Sequence, residues 1–276
     1  KLDHAEQLVE ENPCSQEMQS RYEILKDADL AQRLLELYQG FGNMVHITSG
    51  YNFSSQAIFE GAQGVLLDVN YGFSPYVTKT NTTFANAYTL VSDGCMIKRI
   101  GVLRAYSTRH GVGPFVSEDL ELTHNIPDLH NGTHDWQGKF RIGWLDILAS
   151  RYALEVVGGV DGIALTNLDR LMEINPIKVC TSYEYVGDKN IDGFFDYEII
   201  HGRKIIHRIK VQEEPNVRAQ QKLTALLFDC KPIYAEFKGK ETDYLSFLES
   251  EQGLATPIVI VSKGPKRNDK FVLKDI

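Results

Sequence analysis

Apolar positions along the chain recur with two different periods. Up to residue 42 the spacing is helical: Ala31, Leu34, Leu35, Leu37 and Tyr38 fall on one stripe, opened by Asp27-Ala-Asp29 and closed at Gly40. Beyond it, short apolar runs predict strands at 56–60, 97–107, 162–167, 177–185 and 256–262. Amphipathic stretches between them predict helices near 84–94, 144–157, 216–228 and 242–251. This alternation implies an α/β fold, a central, mostly parallel sheet flanked by helices. Tyr197 to Val211 breaks the rhythm with a strand, a tight turn and a strand, predicting an antiparallel hairpin near 196–211 added to the main sheet, with a short strand at 233–237 beside it. No repeat, low-complexity tract or clear linker intervenes, so one domain is expected, with 1–45 its helical region and 46–276 its α/β part.

Composition narrows the class. A chain of 276 residues with 43% hydrophobic content can bury a substantial core. Its net charge of −8 is spread over interspersed acids and bases, which gives no electrostatic footprint for nucleic acid or an anionic membrane. The apolar runs are too short to span a bilayer, and Lys1-Leu-Asp-His4 is not a signal peptide. Cys14, Cys95, Cys180 and Cys230 lack a paired spacing, which favours reduced thiols in a cytoplasmic protein. In that setting the sequons at Asn52, Asn81 and Asn131 are accidental. A start at Lys1, in a charged helical stretch with no strand before it, suggests an upstream region that is not present.

Four segments carry candidate chemistry. Phe59-Glu-Gly-Ala-Gln-Gly64, and the Gly-, Ser-, Thr- and Asn-rich stretch running to Thr83, present amides and hydroxyls suited either to an anionic ligand or to their own backbone. Arg104 to Glu118 is a basic strand ending in Gly111-Val-Gly-Pro114, where backbone can approach a ligand closely. Around Phe140, Lys139 and Arg141 alternate, so that an extended loop would direct both cations to one side, as a dicarboxylate requires or as a solvated turn allows. The apolar runs that end in Leu165-Thr-Asn-Leu-Asp169 and in Ser262-Lys-Gly-Pro265 are either ordinary strand ends or a paired base site, where a carboxylate could accept the N1 and N2 donors of guanine. His124, His130 and His134 with Asp128 and Asp135 lack a zinc spacing and read as exposed loop residues.

Glu60-Gly61-Ala62-Gln63-Gly64, followed by Tyr76-Val77-Thr78 and Asn81-Thr82-Thr83, resembles the adenylosuccinate synthetase family, which joins L-aspartate to C6 of inosine monophosphate at the expense of GTP. Gly111-Val112-Gly113-Pro114 resembles the family segment whose backbone lies against the nucleotide ribose, with His110 where a small apolar residue is usual. Gly143-Trp144-Leu145-Asp146 matches the anchor after the family's aspartate loop. The loop itself, Asp135 to Arg141, departs from Thr-Thr-Gly-Arg-x-Arg-Arg: it is shorter, and lysine replaces an arginine. The two strand ends are similar to the family's Leu-Thr-Lys-Leu-Asp and Ser-Thr-Gly-Pro, with Asn167 in place of lysine.

The resemblance implies a purine monophosphate at Gln63, Gly64, Thr78 and His110, and aspartate at Lys139 and Arg141. It places the base of GTP at Asn167, Asp169, Ser262, Gly264 and Pro265. It further implies a homodimer and Mg²⁺ on the phosphates, the metal's ligands lying outside this chain. In the family's mechanism a base removes the purine N1 proton, the 6-oxygen attacks the γ-phosphate, and aspartate displaces the resulting 6-phosphoryl group. The aspartate base belongs to an upstream Gly-Asp-Glu-Gly-Lys-Gly loop and the acid is a nearby histidine; no such loop occurs in these 276 residues. Three alternatives stay open: a phage-type relative using deoxyguanylate, ATP in place of GTP, and a non-catalytic nucleotide-binding paralogue.

Overall fold

The computed structural model describes residues 2–11, 13, 15–45, 57–91, 95–128, 131–133, 135, 137–214, 216–238 and 240–275. Cys14, Asn52, His130 and His134 fall outside the described residues. The chain divides into two compact units, 1–55 and 56–276.

The first unit is helical as its spacing predicts, with α1 (Leu2–Glu11), α2 (Gln16–Lys26) and α3 (Leu30–Met44). Ser15 starts α2, its side chain accepting the Met18 N–H. Gly40 does not close α3; the helix runs through Gly40 and Gly42 to Met44. Glycine weakens a helix interior by about 1 kcal/mol, which its neighbours here outweigh. The apolar stripe of α3 stays exposed at Leu34, Leu35, Leu37, Tyr38 and Phe41.

The second unit contains the sheets. In chain order its elements are α4 (Ala85–Tyr88), β1 (Ile100–Arg104), β2 (Ser107–His110), α5 (Leu120–Asn125), β3 (Phe140–Gly143), β4 (Leu145–Asp146), α6 (Ile147–Val156), β5 (Gly162–Thr166), α7 (Leu168–Met172), β6 (Ile177–Tyr185), β7 (Phe195–Ile200), β8 (Arg203–Ile209), α8 (Val217–Leu227), β9 (Cys230–Phe237), α9 (Glu241–Glu249), β10 (Ile258–Ser262) and β11 (Lys270–Val272). The α/β class is as expected. β1, β5 and β10 form a parallel sheet in that order, and β11 closes one side antiparallel. Leu165 stands opposite both Leu103 and Val261, so three strands end together at Arg104, Thr166 and Ser262.

The predicted hairpin exists as β7 and β8, but it joins a second sheet. β8 pairs antiparallel with β6, which also pairs with β9 and, in parallel, with β4. The expected strand at 97–107 splits: β1 enters the parallel sheet, while β2 leaves it to pair with β3. No strand forms at 57–60, where Ile58 is 97% exposed. A strand requires a ladder of paired backbone groups, and 57–60 enters no sheet ladder among the described residues.

Two apolar cores correspond to the two larger sheets. Ile163, Leu165, Ile258 and Val261 pack with Leu168, Leu171, Tyr244 and Leu248; Tyr183, Phe195, Ile206 and Ile209 pack with Leu223, Leu226 and Leu227. α6 contributes Ile147 to the first and Leu148 and Tyr152 to the second, fixing one core against the other. Full burial of each such side chain contributes roughly 1.5–3 kcal/mol.

Candidate functional site

The Gln63–Thr83 segment is held by a carboxylate that sequence reasoning missed. Asp68, fully buried, accepts the amides of Asn70 (2.8 Å), Tyr71 (3.2 Å) and Thr82 (2.6 Å), closing a turn and drawing the distal threonines back to its start. The Thr82 hydroxyl donates to the Gly64 carbonyl at 3.1 Å. Gln63 adopts φ of 66°, a left-handed backbone that costs a non-glycine residue about 1–2 kcal/mol. Its Oε1 accepts from the Thr80 hydroxyl at 3.4 Å, and Thr80 lies 3.2 Å from the Thr78 hydroxyl. Gln63, Gly64 and Thr78 are thus brought onto one loop system, with Gln63 exposed on it.

Two arginines hold the Gly111–Gly113 turn, and one of them, Arg109, also joins it to this loop. Arg109 Nη2 donates to the Tyr76 carbonyl at 3.0 Å and its Nε to the Val112 carbonyl at 2.9 Å. Arg141 Nη1 donates to Gly111 O (2.9 Å) and Gly113 O (3.0 Å). Gly111 and Gly113 need to be glycine here, with φ of 84° and 112°. His110, at the end of β2, sets its ring edge-on to Phe140 at 5.6 Å between centroids.

The two cations expected for a dicarboxylate are not equivalent. Arg141 makes a two-point ion pair with Glu118, Nε to Oε1 at 2.9 Å and Nη2 to Oε2 at 2.5 Å, in addition to its carbonyl contacts. Lys139 is exposed, precedes β3, and has no ion pair among the described residues; its carbonyl accepts the Gly111 amide. Neither Glu118 nor Arg109 announces these roles in the sequence, because both depend on contacts between distant segments. Arg109 stands opposite Arg141 only through the β2–β3 register, which neither strand's own sequence carries.

Behind this loop, Gly143-Trp144-Leu145-Asp146 has a structural role. Trp144 Nε1 donates to Asp119, the N-cap of α5, at 2.7 Å. Asp146 caps α6 through the Ala149 amide and accepts the Tyr183 hydroxyl at 2.7 Å. Burial raises the Asp146 carboxyl to about 6, against the opposing pull of the Tyr183 hydroxyl and two backbone amides.

The two strand ends meet. β5 and β10 are parallel neighbours, so Asn167 and Asp169, just past β5, emerge at the same end of the sheet as Ser262, Gly264 and Pro265 past β10. That is where open parallel sheets bind ligands. Asn167 takes φ of 59° and Asp169 lies in the first turn of α7, its Oδ1 buried and without a partner among the described residues. Ser262 donates to the Gly264 carbonyl at 3.1 Å, and Lys270 Nζ reaches the same oxygen at 2.5 Å. Among the described residues no group of three or more His, Cys, Asp or Glu side chains could hold a metal ion. No described helix is long and apolar enough to cross a membrane.

The adenylosuccinate synthetase family profile matches residues 2–271. The chain belongs to the adenylosuccinate synthetase family. It is 35% identical over 224 residues to the adenylosuccinate synthetase of Thermoplasma volcanium, covering 79% of this chain and 49% of that one. With the Aquifex aeolicus adenylosuccinate synthetase it shares 34% over 246 residues, covering 85% and 52%. The chain therefore spans about half the length of these curated relatives. Among solved structures, fully ligated adenylosuccinate synthetase from Plasmodium falciparum superposes with a TM-score of 0.62 at 21% identity, over 99% of this chain and 63% of that one, which supports the fold.

Proposed function

We propose that this chain carries the substrate-recognition part of a ligase that joins L-aspartate to C6 of inosine monophosphate with hydrolysis of GTP, forming adenylosuccinate through a 6-phosphoryl intermediate. Two local meetings of family segments support the reading: β5 and β10 end together, which brings Asn167 and Asp169 out at the same sheet end as Ser262 to Pro265, and Arg109 bonds the Gly111–Gly113 turn to the Tyr76–Thr78 loop. Gln63 and Thr78 face the purine monophosphate, with Gly64 and His110 beside them. The turn's backbone lies along the ribose.

Asp169, whose Oδ1 is buried and unpartnered, accepts the N1–H and N2–H of guanine, with Asn167, Ser262, Gly264 and Pro265 around the base. Lys139 supplies the accessible cation for aspartate, with Arg141 behind it. Mg²⁺ would neutralise phosphate charge during transfer, but the described residues offer it no cage, so no step runs through a metal ligand of this chain. The protein acts in purine nucleotide synthesis as a cytoplasmic homodimer.

Removal of one recognition group tests the placement. Gln63→Ala and Thr78→Ala should each weaken inosine monophosphate binding about tenfold, as expected for one lost hydrogen bond in a ligand site, while leaving GTP binding unchanged in calorimetric titration. Full affinity in both variants would refute the placement.

A further inference from the structure

We propose that Arg109 is a positioning residue of the monophosphate wall: its guanidinium fixes the spacing between the Tyr76–Thr78 segment and the Gly111–Gly113 turn. This rests on reading those two segments as the wall that a purine monophosphate meets.

Antiparallel pairing of β2 with β3 sets Arg109 directly opposite Arg141. Like charges in that relation repel, and the chain resolves the conflict unequally. Arg141 takes Glu118 as its counter-ion. Arg109 is only 9% exposed and pairs with no carboxylate among the described residues; it donates instead to two neutral carbonyls, Val112 O and Tyr76 O. Burying a cation in this way costs stability, so a neutral side chain would fill the space more cheaply if filling were the only task. What arginine adds is a rigid planar fork that reaches two carbonyls on separate segments, which a lysine ammonium cannot span.

Gly113 fits this arrangement. A Cβ there would run into Arg109 Nη2 and sit 2.8 Å from its Cζ, so the turn lies flat against the guanidinium. Between them, Arg109 and Arg141 take the carbonyls of Gly111, Val112 and Gly113. In a trans peptide, a carbonyl turned inward turns the following N–H outward. The amides of Val112 and Gly113 therefore face away from the arginines, as a pair of fixed donors.

The test compares wild type with Arg109→Lys, Arg109→Met and Gly113→Ala. Each is titrated by calorimetry with inosine monophosphate and, separately, with GTP; hydrogen–deuterium exchange is followed without ligand. All three variants should bind the monophosphate about tenfold or more weakly, bind GTP as wild type does, and exchange faster only across 76–80 and 110–114.

Unchanged monophosphate affinity would overturn the inference. So would equal loss of both nucleotides, or faster exchange through β5 and β10, since either marks a merely structural residue. Rescue by lysine but not by methionine would assign the effect to charge and likewise overturn the bridging role. A wild type that binds no purine monophosphate defeats the reading of the wall, and the ligand-free exchange then decides alone whether Arg109 links the two segments.

Discussion

Asp146 makes the pH dependence of this fold open to test. Its carboxyl is 5% exposed, and burial holds it at about 6 against an ordinary value of 3.8. Because the folded pKa is the higher one, the folded state retains a proton that the unfolded chain releases between about pH 4 and 6. Stability from this group is therefore fully present below pH 4, falls as pH rises to 6, and is flat above. A displacement of about 2 units at 1.36 kcal/mol each gives roughly 3 kcal/mol.

Asp146→Asn keeps an acceptor for the Ala149 amide and a partner for the Tyr183 hydroxyl while removing the charge. The stability of the variant relative to wild type should rise by about 3 kcal/mol between pH 4 and 7, or about 6–12 °C in melting temperature for a body of this size. Other carboxylates cancel in that difference; Asp196, held low by Lys210 and Arg208, is unaltered in both proteins. Thermal and urea melts of both at several pH values are the assay. A difference that does not change with pH would refute the argument.

Two further outcomes follow from the geometry. A Cβ on Gly143 would overlap the Ser117 carbonyl oxygen and lie 2.6 Å from its carbon, so Gly143→Ala should cost about 3 kcal/mol, seen as a lower urea midpoint with unchanged slope. Asp169→Asn replaces one acceptor oxygen by a donor, which suits the N1–H and O2 of xanthine. GTP should bind about a hundredfold more weakly than in wild type and xanthosine triphosphate more tightly, as read in parallel titrations.

The sequence pattern was most legible where a segment carries its own partner information. β6 spans 177–185 as read, because β-branched and aromatic residues interleaved with polar ones over nine positions fit a strand and not a helical stripe. The helical stripe of α3 was legible too, but periodicity says nothing about what the stripe packs on, and it remains exposed. The fate of 97–107 was not legible: Ala105 and Tyr106 turn the chain out of one sheet and into another, and that exit is set by β3. The same limit hid Glu118, Arg109 and Asp68, whose partners lie in other segments or act through backbone groups. Arg141 was found with Lys139 as one of two cations alternating around Phe140, yet its bonds to Glu118 and two carbonyls arise only once β2 and β3 are in register.

The central claim is that this chain recognises the substrates of a reaction in which the purine 6-oxygen leaves as phosphate. The direct measurement uses inosine monophosphate labelled with ¹⁸O at C6, with L-aspartate and GTP, and the intact protein that contains this chain. Parallel reactions replace the monophosphate by deoxyguanylate or GTP by ATP. The account predicts aspartate-dependent turnover with inosine monophosphate and GTP, and the label recovered in inorganic phosphate. Preference for deoxyguanylate, or nucleotide binding without turnover of either monophosphate, would contradict it.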